Sequence, residues 1–363
     1  MMHLSDIIIA KIQNEGPISF RDFMDMSLYY PELGYYTSAG EKTGFEGDYY
    51  TSPNLTPLFG IMIARQLEEM WKIVGKGPFT VFEYGAGSGK LCHDILNYLK
   101  NKPDFYENLN YCIIEKSSVL QEIEKASLHE KVIWYDTIKD IPDITGCILS
   151  NELVDNFAVH RVVMQDQLME IFVDYRNDFV EVLQPASKEL KEYLSELNIE
   201  LPKGFQTEIN LQAIQWIEEI AKSLKKGYVI TIDYGYPSSE LYKKERSNGT
   251  LMCYANHTTN TNPYQNIGNQ DITSHVNFSA LCHWGVKNGL TCCGLTSQAN
   301  FLLSLGFKEY LHKMTIHENN LIETIQKEIL LTQSLILDMG MKFKVLIQEK
   351  GNLKKELLGL QGI

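Results

Sequence analysis

The stretch FTVFEYGAGSGK, residues 79–90, decides the fold. Its first half is an apolar run that predicts a short buried strand, and three glycines follow where a helix is expected to begin. Because they lack a Cβ, Gly85, Gly87 and Gly89 allow a tight turn and let a ligand approach the backbone. The start of the helix adds free N–H groups and a positive dipole end, so a polar ligand is expected to bind at this turn.

Several kinds of site use glycine-rich turns of this type. A P-loop requires GxxxxGK[ST], but Tyr84 stands five positions before Gly89, and Leu91 follows Lys90. A dinucleotide fingerprint requires GxGxxG, and its last position here is Lys90. The pattern that remains is GxGxG, which is typical of S-adenosyl-L-methionine (SAM) sites. A glycine turn that binds no nucleotide, as in many α/β proteins, is the alternative.

Strands and helices alternate from residue 78 onward. Apolar runs at 110–115, 132–136 and 146–152 predict three more strands after the first. The run GYVITIDYG, 227–235, predicts a further buried strand. This alternation predicts an α/β fold with a parallel, doubly wound sheet.

Other segments do not follow this alternation. Residues 158–185 contain three apolar, β-branched runs that predict an antiparallel insertion. Residues 236–275 are polar and predict loop, and residues 343–349 predict a strand in an edge hairpin. We therefore expect four segments, namely a helical and loop cap (1–77), the first part of the ligand-binding domain (78–157), a β-rich insertion (158–205) and the rest of that domain with loop and helical additions (206–363).

Acidic residues end the second and third predicted strands. Glu115 is expected to accept hydrogen bonds from both ribose hydroxyls of a bound nucleotide. Asp136 is expected to accept a bond from an adenine amine. Both follow parallel strands at their carboxyl ends, where ligands of such sheets bind. Strand-end acids also occur in α/β proteins without a nucleotide, and this alternative stays open.

Composition narrows the expected partners. The 363 residues include 33 Lys and Arg against 46 Asp and Glu, a net charge of -13, so binding to nucleic acid is not expected. There is no apolar run of 18 residues, so membrane insertion is not expected. The 7 cysteines form no CxxC pair, which favours reduced thiols and no metal site.

The first residues, MMHLSDIIIAKIQNEG, predict neither a secretory signal nor an Arg-rich transit peptide. We therefore expect a cytoplasmic, bacterial protein. A mitochondrial matrix location is expected only if a presequence is missing.

Blocks along most of the chain resemble one known family. They are GPISFRDFM (16–24), LYYPELGYYTSA (28–39), GFEGDYYTSP (44–53), FEYGAGSGKL (82–91), SNELVDNFAVHR (150–161), DYGY (233–236), GNQDITSHVNFSAL (268–281) and GLTSQANFLLSLG (294–306). On these blocks the chain resembles the MidA-like family of SAM-dependent methyltransferases, over about residues 15–350. Asn54, Asn277 and the run 154–158 depart from the family pattern, which weakens any transfer of substrate identity.

The resemblance implies a Rossmann-like class I methyltransferase sheet with a helical N-terminal lid and a β-rich insertion, and SAM as the cofactor. The family includes the mitochondrial arginine methyltransferase that assists assembly of respiratory complex I. The resemblance thus implies methylation of an arginine on a protein partner, such as a complex I subunit or its bacterial counterpart. A SAM-binding assembly factor with little turnover and a small-molecule methyltransferase are the alternatives, and a homodimer stays open.

The segment SNELVD, at the end of the fourth strand, holds the expected catalytic acids. Glu152 and Asp155 are three residues apart, which places them on one face of a helical turn. Carboxylates that bind two N–H groups of a guanidinium can orient its third nitrogen toward a methyl group. We expect Glu152 to be the first such carboxylate, Asp155 to assist it, and Asn151 to bind the amino-acid end of the cofactor. The alternative is a pair of acids satisfied by a helix N-terminus.

Further residues are candidates for the substrate cleft. His160 is a possible proton acceptor, with a structural histidine as the alternative. Asp271 and His275 are expected to line the cleft, unless they only anchor a loop. Asp48 and Ser52, in the N-terminal block, are expected near the methionine part of the cofactor, where the tyrosines of this lid would exclude water. A packed aromatic cap without ligand contact is the alternative.

Overall fold

The structure is a computed structural model that describes residues 3–38, 52–128, 131–255, 258–315, 321–353 and 356–362. Its strands, in chain order, are β1 (Ile18–Ser19), β2 (Phe79–Tyr84), β3 (Leu109–Ile114), β4 (Val132–Tyr135), β5 (Ile144–Asn151), β6 (His160–Met164), β7 (Leu168–Tyr175), β8 (Phe179–Pro185), β9 (Gln206–Ile209), β10 (Leu224–Tyr236), β11 (Met252–Ala255), β12 (Thr258–Asn260), β13 (Asp271–Thr273), β14 (Val276–Asn277), β15 (Thr291–Ser297) and β16 (Phe343–Lys350). Its helices are α1 (Leu4–Glu15), α2 (Phe20–Tyr29), α3 (Ser52–Leu55), α4 (Pro57–Val74), α5 (Lys90–Leu99), α6 (Pro103–Asn108), α7 (Ser118–Ser127), α8 (Lys188–Glu196), α9 (Leu211–Ser223), α10 (Ser238–Leu241), α11 (Phe278–Lys287), α12 (Gln298–Ser304), α13 (Phe307–Thr315), α14 (Leu321–Thr332) and α15 (Met339–Lys342).

The central sheet confirms the predicted α/β fold. Its strand order is β15-β16-β10-β5-β2-β3-β4. Strands β10, β5, β2, β3 and β4 pair in parallel, whereas β16 is antiparallel to both β10 and β15. The predicted edge position of the last strand is wrong. Val345, Leu346 and Ile347 are buried on both faces of the sheet, which explains why so apolar a strand lies between two others.

Both faces of the central sheet are covered. Along β2, Phe79 and Val81 pack into the apolar cluster with α4 and α5, whereas Phe82 packs into the cluster on the opposite face with α9 and α11. This alternation follows from the two-residue period of a strand. The carboxyl ends of the parallel strands are left open at one edge, and the candidate site lies there.

The β-rich insertion and the N-terminal cap form one packed unit. Strands β6, β7 and β8 are antiparallel, as predicted, and β9 adds to the edge of β6. Strand β1 pairs with β7 through Ile18 and Val173. Phe23 of α2 shares an apolar cluster with Val173 and Ile272 of β13, so the cap rests on the insertion and lies beside the central sheet.

Two smaller expectations fail. Residues 236–275 contain a small sheet in the order β12-β11-β13, which the sequence hid because its strands are 3–4 residues long and rich in polar side chains. Cys282 of α11 and Cys292 of β15 form a disulfide, although we predicted reduced thiols. The adjacent Cys293 is free and exposed.

Gly146 and Gly227 face each other across β5 and β10 at the centre of the sheet. A Cβ on Gly146 would lie 1.9 Å from the carbonyl oxygen of Thr80 on β2. We therefore predict that Gly146→Ala lowers the free energy of unfolding by about 3 kcal/mol or more, because two strands must separate to admit the methyl group. Urea unfolding measures the change.

Gly77→Ala is the matched control for this substitution. A Cβ on Gly77 would meet no atom within 4 Å, so we expect a change below about 1 kcal/mol. Equal stability of the two variants would contradict the observed sheet register.

Candidate active site

The glycine turn has the geometry that its sequence predicts. Gly85, Gly87 and Gly89 have φ angles of 65°, 60° and 74°, a region that favours glycine. The N–H of Gly85 donates to the Ile114 carbonyl at 2.9 Å, which fixes the turn to the end of β3. A Cβ on Gly87 would meet no atom within 4 Å, because this residue faces an open cavity. The turn therefore presents its backbone to whatever fills that cavity.

The cavity beside the glycine turn has a volume of about 880 Å³, and we call it the cofactor cavity. Among the predicted site residues, those that line it are Gly85, Gly87, Glu115, Asp136, Asn151 and Glu152. Gly89 is set back from it and caps α5 in the left-handed conformation. Residues from the ends of β2, β3, β4 and β5 thus meet in one place, as expected for the carboxyl edge of a parallel sheet.

Glu115 and Asp136, the two acids expected to bind the nucleotide, differ in their surroundings. Glu115 is buried, and its Oε1 accepts the backbone N–H of Ser117 at 2.8 Å, which fixes the orientation of the carboxylate. Burial raises the pKa of Glu115, while the N–H groups of Ser117 and Lys116 oppose this shift. Asp136 is exposed at the rim of the same cavity, at the end of β4.

The turn after β5 depends on an acid that the sequence analysis did not select. Asp233, fully buried at the end of β10, accepts the backbone N–H groups of residues 153–155 on one carboxylate oxygen, at 3.3, 2.9 and 3.3 Å. The N–H of Glu152 donates to the Ile232 carbonyl at 2.9 Å. Glu152 itself has a φ of 53°, an unfavourable value for a residue with a side chain. The Asp233 bonds offset this strain and so determine where Glu152 lies.

The side chain of Glu152 is held among polar groups. Its Oε1 accepts the side-chain amide of Asn151 at 3.2 Å, and its carboxylate also accepts the backbone N–H of Ser52. Burial and the neighbouring Asp155 raise the pKa of Glu152 to about 8. The Oδ1 atom of Asn151 is buried and lacks a hydrogen-bond partner among the described residues, so it can accept a bond from a ligand.

A second cavity, of about 520 Å³, meets the first at Glu152 and Asn156, which line both. We call it the acceptor cavity. Its lining falls into three carboxylates (Glu152, Asp155, Asp271), aromatic rings (Tyr234, Tyr236, Tyr254, His275, Phe343), apolar side chains (Met252, Met339, Met341), two lysines (Lys342, Lys344) and three small or polar residues (Asn156, Gly235, Thr273).

The carboxyl groups of the acceptor cavity lie close enough to repel one another when ionised. Burial and the carboxylates of Asp233 and Asp271 raise the pKa of Asp155 well above its usual range. Within the described residues, no lysine or arginine forms an ion pair with Glu152 or Asp155. Nor does any group of three His, Cys, Asp or Glu side chains in these residues have the geometry of a metal site.

His275 lines the acceptor cavity among aromatic rings. Its ring contacts Tyr234 and Tyr236, with 5.3 Å between ring centroids in each case. Burial and the nearby Arg246 lower the pKa of His275 to about 4, so its ring is uncharged at neutral pH. It adds aromatic surface to the acceptor cavity and no positive charge.

Two predicted residues line neither cavity, and a third lies outside the described residues. Ser52 is fully buried, and its hydroxyl interacts with Gln298, so its contact with the site is the backbone N–H given to Glu152. His160 lies on β6 with its Nδ1 atom 2.6 Å from Glu170, and it lines neither cavity. Asp48 lies outside the described residues.

Sequence reasoning missed other residues of the site. Glu83 lines the cofactor cavity from β2, receives the Tyr111 hydroxyl at 2.7 Å, and has a pKa that burial raises to about 7. Trp216 of α9 also lines this cavity, with an indole N–H that has no partner among the described residues. The strand-end rule that selected Glu115 would also have selected Asp233, whereas nothing in the pattern of α9 distinguished Trp216 from core.

Comparison with known proteins decides the family. A family model described as an S-adenosyl-L-methionine-dependent methyltransferase matches residues 62–296. The chain belongs to this family. A crystal structure from Burkholderia thailandensis that contains S-adenosyl-homocysteine is 30% identical, with a TM-score of 0.89, covering 99% of this chain and 94% of that one.

Curated relatives extend this likeness. The mitochondrial protein arginine methyltransferase NDUFAF7 homologues of Caenorhabditis elegans and Drosophila melanogaster are each 26% identical. The first alignment covers 94% of this chain and 85% of the relative, and the second covers 96% and 85%. The described part of this methyltransferase contains no helix that is long and apolar enough to cross a membrane.

SAM is the cofactor of this methyltransferase, and the cofactor cavity fits it. Gly87 leaves room where a Cβ would intrude, and the unpartnered Asn151 Oδ1 offers an acceptor for an amino group. Glu115, expected at the ribose, and Asp136, expected at the adenine, both line this cavity. These individual contacts stay predictions.

We predict that Gly87→Ala weakens binding of S-adenosyl-homocysteine at least about tenfold, because the new methyl group projects into the cofactor cavity. Isothermal titration calorimetry measures the affinity. The matched control is Gly16→Ala, since Gly16 also has a positive φ, of 86°, and open space around it but lines neither cavity. Both variants carry a similar backbone cost of about 1–2 kcal/mol, and only the first should lose affinity. Unchanged affinity in Gly87→Ala would contradict the placement of the cofactor.

The raised pKa of Glu152 predicts a pH-dependent gain in stability on its substitution. The ordinary pKa of Glu152 is 4.5, and its pKa in the folded state is about 8. Between these two pH values the folded state binds the proton of this carboxyl group more tightly than the unfolded state does. Ionisation of Glu152 therefore lowers the free energy of unfolding as the pH rises through this range. Glu152→Gln should abolish that loss, so that the variant gains stability relative to wild type from pH 5 to pH 9.

Urea unfolding at several pH values measures this difference. The control is Glu200→Gln, because Glu200 is exposed. A stability difference between Glu152→Gln and wild type that does not change with pH would contradict the raised pKa of Glu152.

Proposed function

We propose that this SAM-dependent methyltransferase transfers the methyl group to an arginine of a protein partner. The observation that carries the proposal is the acceptor cavity, where carboxylates and aromatic rings meet the cofactor cavity at Glu152. The names of the C. elegans and D. melanogaster relatives, both protein arginine methyltransferases, support the same substrate class.

The positive charge of a guanidinium group complements the carboxylates of the acceptor cavity. Glu152, Asp155 and Asp271 provide carboxylates that accept its N–H groups in planar, bidentate fashion. The methionine side chains and Phe343 suit the apolar stem of an arginine. Arg246 already places its guanidinium 3.7 Å from the ring centroid of Tyr236, so a ring of this cavity does bind such a group.

The lysines of the acceptor cavity do not cancel this preference. Lys342 is exposed, and the ammonium of Lys344 donates to the Met341 carbonyl at 2.8 Å. Burial lowers the pKa of Lys344. Neither lysine pairs with a carboxylate of the cavity in the described residues.

When bound, SAM supplies an electrophilic methyl group, and the chain's residues have three tasks. Asp155 and Asp271 bind the guanidinium and keep one nitrogen directed toward Glu152. A new C–N bond requires this nitrogen to release one proton. The pKa of Glu152 is about 8 in the absence of a cation, and the positive charge of a bound guanidinium favours its ionised form, which can then accept that proton. Tyr29 and Tyr36, which line the cofactor cavity, limit the entry of water.

The partner that we propose rests on the family resemblance of the sequence. A subunit of respiratory complex I, or its bacterial counterpart, is the protein that we propose to test first. The net charge of -13 favours the approach of a basic segment, with the salt dependence expected of such attraction. The cytoplasmic location remains part of the proposal, since the curated relatives are described as mitochondrial.

Methyl-labelled SAM tests the proposal directly. We predict that label appears on arginine when the protein is incubated with a purified complex I peripheral arm, and that mass spectrometry locates it there. Glu152→Gln should lower kcat about 100-fold or more, with little change in the affinity for S-adenosyl-homocysteine, because it removes the proton acceptor and leaves the glycine turn intact.

Glu208→Gln is the matched control. Glu208 is also buried, but it accepts the backbone N–H of Thr250 at 2.8 Å and lines neither cavity, so its loss should leave kcat unchanged. Label found on metabolites alone would favour the small-molecule enzyme. SAM binding and partner association without transfer would favour the assembly factor. Either result would overturn the arginine assignment.

A further inference from the structure

One side chain of the N-terminal cap connects the two cavities. The ring of Tyr36 lines the cofactor cavity, and its hydroxyl donates to the Oδ2 atom of Asp271 at 2.8 Å. Asp271 is 2% exposed and lines the acceptor cavity. The two residues are 235 positions apart in the chain, so this bond joins the cap to the loop that carries β13. A ligand in either cavity would therefore touch one end of the same contact.

The backbone of Tyr36 is also tied to the cofactor side. The hydroxyl of Ser117 donates to the Tyr36 carbonyl at 2.8 Å. The N–H of the same serine donates to Oε1 of Glu115 at 2.8 Å. Glu115 is the acid proposed for the ribose, so separate hydrogen bonds connect Glu115 with Ser117, Ser117 with Tyr36, and Tyr36 with Asp271.

A neighbouring ring supports Tyr36 in this position. Tyr29 stacks on Tyr36 with 5.5 Å between centroids and 24° between planes. The hydroxyl of Tyr29 lies 3.3 Å from the carbonyl oxygen of Asn156, a residue that lines both cavities. The pair therefore forms the part of the cap that lies against the junction of the two cavities.

We propose that Tyr36 is a positioning residue that orients the Asp271 carboxylate for the acceptor, and that cofactor in the adjoining cavity strengthens this contact, so that cofactor and acceptor bind cooperatively. The inference rests on the proposed function, because it takes the second cavity as the site of the guanidinium. A ligand that packs on the Tyr36 ring restricts the ring, and the restricted phenol holds Asp271 in one orientation. By reciprocity, an acceptor that binds Asp271 tightens the cofactor site by the same factor.

Binding of Nα-acetyl-L-arginine amide, with and without saturating S-adenosyl-homocysteine, tests this coupling. Ligand-observed NMR on the full chain gives the Kd in each state. We expect S-adenosyl-homocysteine to lower the wild-type Kd about tenfold. Tyr36→Phe should show the same Kd in both states, while its affinity for S-adenosyl-homocysteine changes less than about threefold.

Tyr264→Phe is the matched control, because the Tyr264 hydroxyl donates to Oε1 of Glu181 at 2.9 Å on the insertion and lines neither cavity. It should keep the tenfold coupling. Ser117→Ala provides a second measurement. It leaves the Tyr36 hydroxyl in place but removes the hydrogen bond to the Tyr36 carbonyl, so it should reduce the coupling. Ser117 also caps α7, so Ser187→Ala, which removes the equivalent cap of α8, controls for helix stability.

The outcomes separate this inference from the proposed function. If the wild type binds Nα-acetyl-citrulline amide, which is neutral, as well as the arginine compound, the guanidinium site is wrong and the inference falls with it. If the wild type prefers arginine but shows no dependence on S-adenosyl-homocysteine, only the inference is wrong. Coupling that survives in Tyr36→Phe, or that is lost equally in Tyr264→Phe, would also overturn it.

Discussion

The contact between Asp233 and the backbone of residues 153–155 is the constraint on which the active site depends. A short turn after β5 must carry Glu152 at a φ of 53°, and a turn of this kind would not persist on local preference alone. Asp233 approaches from the neighbouring strand β10, where it is fully buried, and three N–H groups converge on one oxygen of its carboxylate. The parallel pairing of β5 with β10 brings these groups together, so the sheet itself determines where the acid at the junction of the two cavities lies.

A cluster of acidic side chains is the second feature that determines the properties of the site. Glu152, Asp155, Asp233 and Asp271 lie together in a poorly solvated region, and burial and mutual repulsion raise the pKa values of Glu152, Asp155 and Asp233. Such a cluster is unfavourable unless a cation relieves it, and a guanidinium that enters from a partner protein would do so. Because their pKa values are raised, Glu152 and Asp233 can also exchange protons near neutral pH. The same repulsion that reduces stability thus prepares the site for its substrate.

The glycine turn and the strand-end acids could be predicted because each follows from local rules. Gly85 and Gly87 needed positive φ angles at a turn that faces a ligand, and Glu115 stood at the end of a strand whose neighbours were already recognisable. The role of Asp233 was not predicted, because it is a long-range contact with a turn almost 80 residues earlier in the chain. His160 was misleading, since its partner Glu170 lies on the next strand of the insertion, and only the antiparallel pairing reveals that contact. The position of β16 between two strands likewise depends on tertiary packing, which overrides a local hairpin pattern.

We propose that one turn, held by Asp233, places Glu152 where cofactor and arginine meet. An adenosyl compound that bears a guanidinoalkyl arm in place of the methyl group would span both cavities, so its affinity measures their junction directly. Calorimetry should show that it binds wild type at least about 100-fold more tightly than S-adenosyl-homocysteine does, and that Asp233→Asn loses most of this gain while it keeps its affinity for S-adenosyl-homocysteine. An arm that adds no affinity in the wild-type protein would contradict the account.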